Sequence, residues 1–166
     1  MRGNCLYRYN ATPSPLTPHP SPLTPHPSPL TPIPLLSWGM IWYVAAGSAL
    51  GGVLRFLMVP WAQRFFSAGF PGGTLVVNVV GSLVIGLALR LAGDSAVISP
   101  EARIFLTVGV CGGFTTFSAF SAESMELMQS GQWGRTGIYV LSSISLCLLA
   151  AFAGWMAGGG VLALKR

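Results

Sequence analysis

From about residue 41 onward the chain is a succession of long apolar runs separated by short polar or turn-forming stretches. The first run extends from Ile41 to Val59, where Pro60 limits it and Trp61 and Arg64 offer interface anchors. The second extends from Thr74 to Leu91, opened by Pro71-Gly72-Gly73. The third extends from Pro100 to Met128, with Pro100 suited to a first helical turn. The fourth extends from Thr136 to Leu162 and is closed by Lys165 and Arg166. A transmembrane helix needs about 20 predominantly apolar residues. The pattern therefore predicts an all-α integral membrane protein with four transmembrane helices. Short connections predict antiparallel packing of sequential helices.

The third run departs from simple apolarity. Its segment Gly109 to Ser121, GVCGGFTTFSAFS, combines glycines, threonines, serines and phenylalanines without a charge. Gly112-Gly113 followed by Thr115-Thr116 discourages helix locally. The third helix is thus expected to be broken near its middle. In lipid an unwound backbone survives only where it is buried in protein or lines a polar cavity. A broken helix also presents carbonyls and helix ends to an ion. The segment is a candidate ion site, and the chain a candidate channel or transporter. Small residues are dense in the other runs, with Gly47, Ser48, Gly51 and Gly52 in the first and Gly81, Ser82 and Gly86 in the second. They suit close approach of helix backbones in a bilayer.

Residues 12–34 read TPSPLTPHPSPLTPHPSPLTPIP, in which SPLTPHP recurs with a seven-residue period. Ten of the thirteen prolines lie here, which excludes helix and central strand. Polyproline-like or disordered chain is expected. Without a continuous apolar core it is not a secretory signal. It reads either as a proline-rich linker or partner ligand, or as a translated upstream repeat with initiation at Met40. Met40 directly precedes the first apolar run, and the near-exact repetition favours the second reading. The expected division is a leader over residues 1–39 and a membrane domain over residues 40–166.

Composition agrees with the pattern. The chain is 52% hydrophobic and 8% charged, against roughly a quarter charged residues in soluble domains. Its net charge of +5 is scattered and forms no basic stripe, so no nucleic-acid partner is expected. Cys5, Cys111 and Cys147 are odd in number, with two inside apolar runs, which argues against a disulfide framework. No CxxC, HExxH or histidine cluster suggests a transition-metal site. No carboxylate pair, Ser-His arrangement or phosphate loop suggests an enzyme. With the amino end cytoplasmic, the inner side would receive Arg90, Arg103, Lys165 and Arg166, and the outer side Arg64 and Arg135, plus Arg55 if it snorkels outward. That bias is weak for a rule that needs clear asymmetry. A small protein so balanced can insert both ways and bury a shared pore in an antiparallel dimer.

Several residues could carry chemistry. Asn78 lies mid-run, where a carboxamide must find a partner or water. It could form an interhelical bond, or donate to a permeating ion. Thr74 precedes it by four residues and shares its helix face. Phe114, Phe117 and Phe120 are spaced by three; the ordinary reading is core packing, but an aromatic ring also has a positive edge that can face an anion. Arg55 can snorkel or form an electropositive funnel. Glu123 and Glu126 end the third run and read as vestibule, capping or solvated groups. Tyr139, Ser143 and Cys147 form one line on the fourth run, within a polar stretch that includes Ser142 and Ser145. That line could be a hydrogen-bonding track, or its hydroxyls could bond back to their own helix.

Taken together, GSALGGVLRF at Gly47–Phe56, GTLVVNVVGSLVIG at Gly73–Gly86, GVCGGFTTFSAFS at Gly109–Ser121 and YVLSSISLC from Tyr139 resemble the Fluc, or CrcB-type, fluoride channels. The resemblance covers the chain from about Met40 to its end. It implies an antiparallel, dual-topology homodimer in the cell (inner) membrane, with two fluoride pores lined by both subunits. It implies a structural Na+ at the dimer two-fold, held by the backbone carbonyls of Gly112 and Thr115. It implies a fluoride path along Phe117 and Phe120, the pore asparagine Asn78, polar-track positions Thr116, Tyr139 and Ser143, the acidic position Glu123 and the first-span Arg55. Passive fluoride export against toxicity is the implied role. Two positions depart from the pattern, Ala119 where Thr or Ser is common and Cys147 where Ser is frequent. The alternative is a four-helix proton-coupled drug-export antiporter, but its usual first-span carboxylate is missing here. A non-transporting assembly protein is a third reading.

Overall fold

The computed structural model describes residues 38–93 and 98–163. The proline-rich repeat lies outside the described residues. Four helical spans follow one another, each long and apolar enough to cross a bilayer. Helix α1 covers Trp38–Gln63 and α2 covers Gly72–Ala92. The third span is assembled from α3 (Pro100–Ile104), a wider π-helical stretch (Phe105–Cys111), the short α4 (Gly112–Phe114) and α5 (Phe117–Gln129). The fourth is one helix, α6, Trp133–Ala163. The chain is a multi-pass membrane protein.

The helix ends follow local chemistry. Ser99 caps α3 by accepting the Ala102 amide, with Pro100 at the first position. At the α5–α6 turn Gly131 takes φ +72°. The Gln132 amide donates back to the Leu127 carbonyl and the Gly131 amide to that of Met128, a Schellman closure of α5. One expected boundary moves: Pro60 lies inside α1, which continues to Gln63. In the last turn a proline removes only one intrahelical bond, so the helix outlasts it.

Sequential helices run antiparallel, as expected, but the tightest packing joins alternate ones. Helix α1 packs along the first half of the third span, and α2 along α6. Both pairs are parallel. A Cβ added at Gly47 would meet the Phe105 carbonyl oxygen at 2.7 Å and the Gly109 Cα at 2.8 Å, and one at Gly51 would strike the Val110 carbonyl and come within 2.8 Å of the Phe114 amide. Contacts therefore rise together along both helices. Gly47 and Gly51 form one small-xxx-small ridge and Gly109 and Gly113 the other, and their backbones touch because neither carries side chains. Arg90, near the end of α2, holds its guanidinium 4.7 Å from the Trp155 ring of α6, an interface-type cation–π pair.

Candidate functional site

The break in the third span is two extended residues, Thr115 (φ −77°, ψ 157°) and Thr116 (φ −148°, ψ 104°). Gly112 and Gly113, expected within the unwound stretch, are helical. Their lack of side chains serves packing instead: a Cβ at Gly113 would lie 2.5 Å from the Ser48 carbonyl oxygen. Unwinding occurs one step later, where β-branched threonines suit extended backbone.

Asn78 holds that break. Its Nδ2 donates to the Thr116 carbonyl at 3.2 Å, and its Oδ1 accepts the Thr116 amide at 2.8 Å. One carboxamide on α2 thereby replaces the helical partners of an interrupted backbone. The Thr116 hydroxyl accepts the Ala119 amide at 3.1 Å and caps α5, with the Ser118 hydroxyl 3.2 Å away. From the other side, the Arg55 Nη1 donates to the Thr115 carbonyl at 3.3 Å. Arg55 is half-buried and turned to the break.

The interruption separates the three phenylalanines. Phe114 is buried, whereas Phe117, beyond the break, is 79% exposed on this chain. Phe117 and Phe120 lie with ring centroids 5.4 Å apart. Together with Asn78, Thr115, Ser143 and Cys147 they line an open cavity of about 440 Å³. Gly112 also borders it, as do Ser82 and Thr107. The Ser143 hydroxyl oxygen is buried and has no hydrogen-bond partner among the described residues. Ser142, by contrast, bonds back to the Tyr139 carbonyl at 3.2 Å, so the polar stretch on α6 divides between a back-bonded serine and one facing the cavity.

Beyond Phe120 the site becomes ionic. The Phe120 and Tyr139 rings lie 5.2 Å apart. The Tyr139 hydroxyl donates to Glu123 Oε2 at 2.6 Å and the Thr74 hydroxyl to Oε1 at 2.6 Å. Both donors are fully buried, Tyr139 at 0% and Thr74 at 2% exposure. Each carboxylate oxygen therefore has a short charge-assisted bond. Glu123 also faces a second cavity of about 370 Å³, shared with Gln63, Glu126 and Gln132. The residues singled out in sequence thus converge on one strip. In sequence Thr74 shares Asn78's helix face, and its link to Glu123 is made across 49 positions of chain.

The carbonyls at the break suit a hard cation. The Thr116 amide goes to Asn78, so the Gly112 carbonyl loses the donor that a continuous helix would supply. The Thr115 carbonyl accepts only a 3.3 Å bond from Arg55 and retains a second lone pair. Carbonyl oxygens are the donor type that hard cations prefer.

Comparison with known proteins agrees with this geometry. The family model described as "CrcB-like protein, Camphor Resistance (CrcB)" matches residues 42–155. A protein of Thermus thermophilus named fluoride-specific ion channel FluC is 50% identical over 119 residues, 72% of this chain and 93% of that relative. Its namesake in Agrobacterium fabrum is 44% identical over 115 residues, 69% of this chain and 92% of the relative. One in Opitutus terrae is 43% identical over 125 residues, 74% and 95% of the two chains. With its four spans, interrupted third helix and this breadth of similarity, the chain belongs to the CrcB-like family.

Proposed function

We propose that this chain is a fluoride-selective ion channel that works as an antiparallel, dual-topology homodimer. The observation that carries the reading is the strip from Asn78 through Phe117 and Phe120 to Tyr139 and Glu123. It runs from the cavity lined by Asn78, Phe117 and Phe120 toward a second one bordered by Glu123, with no charged side chain in the strip before Glu123. The relatives named above are fluoride channels by name, and the residues here have the chemistry for that ion.

Fluoride is small and strongly hydrated, so a pore must replace its water with donors. The buried Ser143 hydroxyl, free of protein partners among the described residues, supplies one. Asn78 has a second amide hydrogen beyond the one given to Thr116. Phe117 and Phe120 add the weakly positive ring edges that attract an anion without trapping it. Tyr139 and Thr74 carry hydroxyls that can turn from Glu123 to a passing anion. Several weak sites in series permit exit as well as entry. Arg55 adds positive potential at the break. Thr116 contributes through its backbone, since its hydroxyl caps α5.

A second copy follows from the exposed break. Gly112 and Phe117 stand open on this chain, and the cavity beside them holds Asn78, Ser82, Thr107 and Ser143. The Ser143 hydroxyl has no partner among the described residues and lipid offers it none, whereas an inverted second copy would cover this polar cavity. Gly112 and Thr115 carbonyls from both copies would then surround a Na+ ion, which supplies positive charge and ties the two breaks together. The export role follows from an inside-negative potential driving an anion outward. The antiporter alternative finds no support, since α1 has no carboxylate.

The test is fluoride efflux from liposomes holding the purified protein, with a fluoride electrode and a potassium ionophore to dissipate charge. Rapid fluoride release with chloride retained is expected. Equal release of both anions, or none from folded protein, would overturn the proposal.

A further inference from the structure

Gln63 ends α1, belongs to no motif and carries no role in the strip described above. Its half-buried carboxamide nevertheless bonds through both polar atoms across the α1–α2 connection. Nε2 donates to the Phe70 carbonyl at 2.8 Å, and Oε1 accepts the Gly73 amide at 2.9 Å. Both bonds are short and made by opposite ends of one planar group, so the amide acts as a strut between two fixed points.

Each point leads directly to Glu123. Gly73 precedes Thr74, whose hydroxyl donates to Glu123 Oε1 at 2.6 Å. Phe70 stands edge-on to Tyr139, with centroids 5.7 Å apart and planes at 81°, and Tyr139 donates to Oε2 at 2.6 Å. The two donors of the carboxylate thus come from different helices, α2 and α6, and the position of each depends on a segment tied to Gln63. The first turn of α2 has no side-chain cap of its own. The Gly73 amide is one of the orphan donors of a helix start, and Gln63 supplies its partner from the preceding helix. Gln63 also borders the cavity that Glu123 faces. Its two bonds hold the carboxamide against the Phe70 carbonyl and the Gly73 amide, and through these it acts on Thr74 and Tyr139.

We infer that Gln63 is a positioning residue for fluoride passage, setting the register of Thr74 and the tilt of Tyr139 so that both hydroxyls meet Glu123. The inference rests on the channel reading above. It concerns a residue of α1 whose two bonds go to α2 and the connecting loop.

A double-mutant cycle on fluoride flux tests it. Gln63→Met keeps length and shape and removes both bonds. Gln63→Asn keeps both amide groups but is one methylene too short to span them, and serves where the Met variant fails to assemble. Flux is measured in liposomes for wild type, each Gln63 variant, Thr74→Val, Glu123→Gln and the combinations, on protein of verified dimer size. The expected result is a fall of at least about tenfold for Gln63→Met, the equivalent of about 1.4 kcal/mol. Little further loss is expected when it is added to Thr74→Val or Glu123→Gln, because contacting or networked sites are not additive. A merely structural role predicts the same fractional loss in every background, and that outcome overturns the inference. Wild-type flux in both Gln63 variants overturns it too, while leaving the channel reading intact. Unchanged flux in Thr74→Val and Glu123→Gln would instead remove the ionic cluster from the path, and the role of Gln63 with it.

Discussion

Replacing Asn78 by Asp changes one atom type and tests both what holds the break and where the anion passes. The Thr116 amide donates to Oδ1 at 2.8 Å, and a carboxylate oxygen accepts that bond equally well. The Nδ2 donation to the Thr116 carbonyl at 3.2 Å is lost, and two oxygens face each other instead. Leaving a buried carbonyl unpaired costs about 1–3 kcal/mol. A new negative charge within about 4 Å of an anion that Asn78 would otherwise donate to adds about 4 kcal/mol of repulsion at an effective dielectric near 20. The repulsion alone slows passage by about three orders of magnitude. The retained amide bond should let the chain fold at normal size, while the unpaired carbonyl lowers the thermal midpoint by several degrees. Fluoride efflux from liposomes reads the first quantity, and size-exclusion chromatography with thermal unfolding the second. Flux within about threefold of wild type, from protein of normal size, would refute both the clamp and the place of Asn78 on the path.

Other expectations follow from the same geometry. Phe117→Ile should lower fluoride flux by at least about tenfold, as loss of one ring-edge contact of about 1.4 kcal/mol implies; its exposure on the single chain means monomer packing should hold, so normal flux would remove the ring from the path. Gly51→Val should abolish assembly or lower the thermal midpoint sharply, because its Cβ strikes the backbone carbonyl of Val110 and no rotamer relieves it, at an overpacking cost of about 1–3 kcal/mol or more; a normal midpoint would contradict the ridge packing. Exchanging Na+ for N-methyl-D-glucamine should destabilise the proposed dimer, by about 2.7 kcal/mol if sodium was present at 100 times its dissociation constant; a thermal midpoint independent of sodium would exclude the ion from the two carbonyls.

The covalent order of residues determined the class of this protein almost alone. Four apolar runs with short connections leave no other way to satisfy the backbone in a bilayer than four helices, and the observed spans match the expected ones to within a few residues except at Pro60. The third span was legible as broken because threonines and glycines at one place in an apolar run have a single local meaning. Its exact point of failure was not. Propensity put the weakness across Gly112-Gly113 and Thr115-Thr116 together, whereas packing against α1 holds the glycines in helix and Asn78, 38 positions away in the chain, stabilises the extended form at Thr116.

Asn78, Phe117, Phe120, Tyr139, Ser143 and Glu123 could be named from spacing and motif, since each is a polar or aromatic group in unusual surroundings. Their partners could not. Thr74 and Tyr139 meet Glu123 only after three helices have packed, and Gln63 acquires its role from two backbone groups in the following connection, which no side-chain pattern encodes. The parallel pairing of α1 with the third span and of α2 with α6 was likewise settled by tertiary structure. Periodicity reports which face of a helix is small or apolar, but the same glycine ridge serves any neighbour that can approach it. Only the simultaneous fit of all four helices decides which one does.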